Sequence, residues 1–409
     1  MENFISEELL AFAKRIARKS LGITTVLAAV LAALPVTVRA EVLSSFSDFT
    51  GRHVYQIGVF DAHVYQLYYN GGSWVYQDLT AYTGGKPAAL FSPVASFADG
   101  LGEHVFYFDP NNHLNHLSSN NGPWVKQDLT AETGGPPVLT GSLAGFSDID
   151  GPHVYYVAFN KHVNQIYWNY GSWANQDLTL MGRGPFVSPS GGITAFYDGS
   201  GEHVFYVDEI QHVNQLYYAW NEPWVNQDIT LSAALSSGPP FLLPPLPEVS
   251  SDLASFADNS GEHVFYVNSS SEIYQLYFNG SWSAQDLSQQ AGAPQAELSA
   301  LAASSDRFGE HVFYVSPGSQ HVEQLYLPYG GKWINQDITA AASAPGSDFC
   351  GVLAGGVLAE YSDSSGDNIY FVHDSGIYQL MWNGFSWSYE PVTREADGPP
   401  VSACSGFPL

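Results

Sequence analysis

Six histidines, His53, His104, His153, His203, His263 and His311, each stand two residues after a glycine and five after an aspartate. A second set, His63, His113, His162, His212 and His321, follows nine or ten residues later. Imidazoles can ligate a metal, move a proton or hydrogen-bond a sugar hydroxyl. A metal ion needs its ligands within a few ångströms of one point. Copies spread along a repeat do not supply that, and Glu272, Asn368 and Gly376 replace histidine in later copies. No metal and no other cofactor is expected. Structural hydrogen bonding and hydroxyl recognition stay open for both sets, and His203 and His212 are the candidate sugar contacts.

Carboxylates repeat in the same way. Glu103, Glu202, Glu262 and Glu310 each precede a histidine of the first set, and Asp78, Asp128, Asp177, Asp228, Asp286 and Asp337 occupy a Gln-Asp position. An enzyme gathers unlike residues once, around one cleft. Acids repeated at one position read as turn chemistry or as several equivalent binding sites, so the chain is expected not to be an enzyme. The third set is aromatic: Trp74, Trp124, Trp173, Trp224, Trp282, Trp333 and Trp387. An aromatic face packs on the C–H face of a sugar while nearby polar side chains direct hydrogen bonds. Such a tryptophan can equally wedge two sheets together. The first six tryptophans and the four glutamates are the candidate carbohydrate-binding residues.

The spacing of these sets shows what must position them. Seven copies of one unit run along the chain, near 43–80, 94–130, 142–179, 192–230, 252–288, 299–339 and 357–393. In 192–230, Ile193 to Tyr197, His203 to Asp208, His212 to Tyr218 and Trp224 to Thr230 read as four strands, joined by an Asp-Gly-Ser-Gly turn at Asp198 and a turn at Asn221 to Pro223. Elsewhere that last turn is Asn-Gly, as at Asn279-Gly280. A period near 50 residues with four strands per copy predicts an all-β, seven-bladed β-propeller of four-stranded antiparallel blades spanning 41–393. Apolar residues on both strand parities agree with blades covered on both faces. A Pro-rich interruption at Ser236 to Glu248 reads as an extended rim loop, and 394–409 as a tail over the closing seam. Blades one and seven each hold four runs, so closure by packing between complete blades is expected.

Composition limits the partners. The net charge is -27 with only 13% charged residues. That surface disfavours nucleic acid and anionic membranes. Lys14, Arg15, Arg18 and Lys19 precede an apolar run from Leu21 to Val38, and Val38-Arg39-Ala40 fits a cleavage site. Residues 1–40 therefore read as a signal peptide cut after Ala40. The mature chain is then secreted or periplasmic, without membrane insertion. The two cysteines, Cys350 and Cys404, flank the last copy, and a disulfide between them is expected in that compartment.

Repeats such as GEHVFYVDEIQHVNQLYYAWNEPWVNQDIT and HVYQLYYNGGSWVYQDLT resemble the fucose-specific lectin superfamily, especially its bacterial seven-bladed propeller lectins. The resemblance spans Glu41 to about Thr393. It implies a multivalent binder of fucosylated or methylated glycans, with sites between neighbouring blades. The aromatic part of the family's binding set carries over to the tryptophans, whereas Arg52, Arg183, Arg307 and Arg394 share no position in the repeat. The expected function is a secreted multivalent lectin, with oligomerisation left open. The alternatives are a protein-interaction or surface propeller, or a propeller glycoside hydrolase or lyase.

Overall fold

A computed structural model describes residues 43–89, 92–220, 222–239, 241–248, 251–298, 300–346, 358–363 and 366–401. The leader, Cys350 and Cys404 lie outside these residues. The described residues form seven four-stranded antiparallel sheets, each a simple meander of strands consecutive in sequence. This is the expected seven-bladed, all-β propeller. The first strands of the blades are innermost: Leu43–Asp48, Val94–Asp99, Val138–Ser147, Ile193–Asp198, Leu253–Asp258, Leu301–Ser305 and Leu358–Asp363. Each packs on the next, and Leu358–Asp363 packs back on Leu43–Asp48, which closes the ring. Among the described residues no strand is shared between the ends of the chain, and blades one and seven are each complete.

Local chemistry explains each blade. In blade four, Asp198 Oδ1 accepts hydrogen bonds from the Ser200 and Gly201 amides at 2.7 and 3.1 Å, closing the first turn. Gly201 sits at φ +154°, and a Cβ there would stand 2.0 Å from the Tyr218 carbonyl oxygen, so only glycine fits. The second strand, Gly201–Val207, pairs with Val213–Ala219 and places His203 opposite Tyr217 and Phe205 opposite Gln215. Val204 and Leu216 are opposed and fully buried, as are their counterparts in every blade. The cores lie between blades. Phe97 of blade two packs so closely on blade three that a Cβ on Gly145 would come 2.9 Å from its ring.

One expectation needs correction. The fourth strand does not run to Thr230; it ends at Asp228, and Ile229–Ser236 is a short helix. Asp228 caps that helix by accepting from the Leu231 amide at 2.8 Å. Asp78, Asp128, Asp177, Asp286 and Asp337 cap equivalent helices, while Pro391 makes no side-chain cap in blade seven. The second residue of each short helix, threonine in six blades and Ser288 in blade five, has an equally local reason. Thr230 Oγ1 accepts from the Val213 amide at 2.9 Å, and the bond recurs in all seven blades.

The exit segment of one blade straps the next. Val187 bridges to Asp208 and Pro247 to Asn268. The end of the Pro-rich stretch, from Pro245 to Glu248, thus lies against blade five: Glu248 N donates to the Val267 carbonyl at 2.9 Å, and the Tyr266 hydroxyl donates to the Pro245 carbonyl at 2.7 Å. Residues 399–401 do the same for blade one. Val401 bridges to Gly58, and Gln56 Nε2 donates to the Pro399 carbonyl at 2.9 Å.

Candidate functional site

Pairing register decides which side chains face the neighbouring blade. In blade three His153 lies opposite Tyr167, and Tyr155 opposite Gln165, which in turn lies opposite Gln176. Paired residues share a sheet face. This face looks toward blade four. From blade four, Glu202 reaches back: its Oε2 accepts from the Tyr155 hydroxyl at 2.6 Å and from Gln165 Nε2 at 2.7 Å, and lies 3.4 Å from His153 Nδ1. His153 Nε2 is 3.0 Å from Asp148 Oδ1. Burial alone would lower the imidazolium, but the bonds to Asp148 and Glu202 outweigh it and push His153 up to about 9.

The same relay recurs around the ring. Glu103 accepts from Tyr55 and Gln66 of blade one at 2.5 and 2.7 Å. Glu262 accepts from Gln215 at 2.6 Å and lies 3.1 Å from His203 Nδ1; Glu310 accepts from Gln275 at 3.2 Å. In blade seven Asp367 takes this place, 3.4 Å from His311 Nδ1. The four glutamates therefore face the blade before their own across the seam, and Glu202 among them lines a cleft. The two histidine sets are not brought together. His203 sits beside the Asp198 turn, while His212 opens the third strand at the other end of the hairpin, its Nδ1 2.7 Å from the Asp228 cap. Groups such as Asp148, His153 and Glu202 are also where ligand atoms come close enough to hold a metal ion. Their atoms already bond one another.

The tryptophans do not present an open face. Trp74, Trp124, Trp173, Trp224, Trp282 and Trp333 are between 2% and 9% exposed. Trp74 stands edge-on to Tyr370, Trp124 to Tyr55, Trp173 to Phe106 and Trp282 to Phe205, in each case a ring of the preceding blade. With both sheet faces covered, the start of an outer strand is wedged rather than exposed. Trp224 still forms part of a cleft wall.

Among the described residues, clefts open at several seams. That between blades three and four, about 310 Å³, is lined by His153, Gln165, Tyr167, Trp168, Gln176, Glu202, Tyr218 and Trp224, with Asp150, Tyr170 and Glu222 at the turns. Between blades two and three, about 280 Å³, His116 replaces the glutamine and Pro152 the glutamate; Trp168 and Leu101 line it. His116 Nε2 lies 3.0 Å from His104 Nδ1, and burial followed by the His104 charge pushes His116 down to about 3. A smaller cleft of about 140 Å³ between blades six and seven holds His311, Gln324, Tyr326, Asp367 and Trp382. The cleft between blades seven and one, about 770 Å³, instead contains Arg52, whose guanidinium lies 4.3 Å over the Tyr69 ring and donates to Gln379 Oε1 at 3.1 Å.

The Gln-Leu-Tyr positions are not among the candidates that the sequence singles out. Yet Gln165 and Tyr167, and Gln324 and Tyr326, line clefts. The usable signal was parity, since glutamine and tyrosine two apart share the face of the first-set histidine.

No family model matches the chain, and no curated protein matches it. Among solved structures, AofleA from Arthrobotrys oligospora is 14% identical, with 78% of this chain and 88% of that chain covered and a TM-score of 0.50. The six-bladed fucose-recognising lectin of Aleuria aurantia is 17% identical over 72% of this chain and 93% of that one, at 0.47. SapL1 lectin, solved with alpha methyl fucoside, is 14% identical over 74% and 96%, at 0.47. At these identities the likeness is one of fold: the chain is a propeller resembling the fucose-lectin propellers.

Proposed function

We propose that this chain is a secreted, multivalent carbohydrate-binding propeller whose sites are the clefts between neighbouring blades. One observation carries the reading. Blades one, three, four, five and six each present a histidine, a glutamine and a tyrosine on one face, and at the clefts after blades three and six the next blade closes that face with a different polar or aromatic wall. Donors, acceptors and a ring face converging in a cleft of a few hundred cubic ångströms suit a monosaccharide. Several such clefts on one rigid ring suit avidity from weak individual sites. No catalytic step is assigned to the clefts. Secretion rests on the leader 1–40, and the Cys350–Cys404 disulfide belongs to the same proposal.

A glycan array probed with the mature chain tests it, with fucosylated and O-methylated glycans included. Binding that free sugar inhibits is expected. Tyr326→Ala, at a half-exposed rim, should weaken the array signal while leaving the urea midpoint unchanged. A blank array would sink the reading. A second reading, a protein-interaction propeller, draws on the exposed turn residues Phe49, Ile149, Tyr170 and Phe385. It predicts binding that free sugar does not inhibit.

A further inference from the structure

The clefts share a plan but not a chemistry. Pro152 removes the carboxylate between blades two and three, and Arg52 brings a cation into the cleft between seven and one. The cleft between blades three and four keeps Glu202 and adds two more acids at its mouth, Asp150 from blade three and Glu222 from blade four. No lysine or arginine lines it among the described residues. His153 is its one basic group, already set between Asp148 and Glu202 at 3.0 and 3.4 Å, so Asp150 and Glu222 are left without a balancing charge in the cleft. Aromatic rings line the same cleft: Tyr167, Trp168 and Tyr170, the last 88% exposed with its hydroxyl 3.4 Å from Asp150 Oδ1.

Resting on the carbohydrate-binding reading, we propose that the cleft between blades three and four takes a sugar bearing a free ammonium group, an unacetylated amino sugar. Ring faces attract an ammonium through their quadrupole, and Asp150 and Glu222 offer charge-assisted hydrogen bonds to it. Gln165, Gln176 and Glu202 deeper in the cleft meet the hydroxyls. A volume of about 310 Å³ limits the occupant to about one sugar ring. An N-acetyl group would remove the charge and leave the two mouth carboxylates facing a neutral ligand.

Calorimetric titration of the whole mature chain with the free-amine and N-acetylated glucosamine disaccharides tests this. The free amine should bind about tenfold more tightly, the size of a single well-placed cation contact. Its advantage should shrink at high salt and vanish in the double variant Asp150→Asn, Glu222→Gln. Tyr170→Ala should reduce it, and Tyr326→Ala in the other cleft should not. If the double variant keeps the preference, attraction to the acidic surface at large explains it and the inference falls. Equal binding of the two disaccharides overturns it and leaves the lectin reading standing; choline binding as tightly as the amino sugar overturns it too. No binding of either, with a blank array, sinks both.

Discussion

Two residues before the turn aspartate, the first five blades carry Phe46, Phe97, Phe146, Phe196 and Phe256, but blade six has Ser304. Across that seam Glu360 of blade seven stands where other blades have serine, glycine or alanine, set against Ser304 and near Asp367. Its Oε2 is shut off from solvent and finds no partner among the described residues. Burial, and then the Asp367 charge, push Glu360 up to about 8. Between its ordinary 4.5 and that value the folded chain holds a proton that the unfolded chain has released, so stability falls as pH rises through this window. The loss is about 1.4 kcal/mol for each pH unit crossed. Glu360→Gln should therefore match the parent near about pH 4 and be clearly more stable near about pH 9, read from urea midpoints at the two values. Equal midpoints at both would show that the carboxyl is not confined as described.

The short helix after each outer strand is where element and repeat meet. Asp228 Oδ1 caps the helix and its Oδ2 holds His212, so one side chain ties helix, outer strand and third strand together. Asp228→Ala should cost about 1–2 kcal/mol, and Asp228→Asn less, because the amide oxygen still accepts from Leu231. Differential urea unfolding separates the two variants. The Gln-Asp position was visible in the sequence as a feature of six of the seven copies, but the helix it caps was not: Leu79–Thr83 and most of its counterparts are five residues long, too short for a 3.6-residue period to show. Turn aspartates, glycines and the Thr/Ser position were legible because each serves its own blade's backbone. The partners of Glu202 and Trp224 were not, because they belong to another blade and strand parity cannot reveal which covered face meets which neighbour. Likewise, Tyr167 reads as scaffold until the sheet shows it beside His153.

At the scale of the whole ring, closure rests on complete blades and on the strap formed by residues 399–401. Val401 is fully buried against blade one, and Trp74 Nε1 donates to Glu390 Oε2 of blade seven at 3.0 Å. Ending the chain before Asp397 should remove at least on the order of 3 kcal/mol, chiefly from the buried Val401 side chain and the three hydrogen bonds that residues 399–401 make to blades one and seven. Proteolysis should then cut first in blades one and seven. An unchanged melting temperature would mean that blade packing alone closes the ring. Arrangement also bears on inheritance. Because Glu202 of one repeat completes the cleft of the repeat before it, duplicating or exchanging blade four rewrites the halves of two clefts and transfers neither intact. The segment that carries one specificity whole runs from the first turn of one blade through to the start of the outer strand of the next. Recombination in step with the repeat shuffles ligands, and only recombination out of step with it can move one.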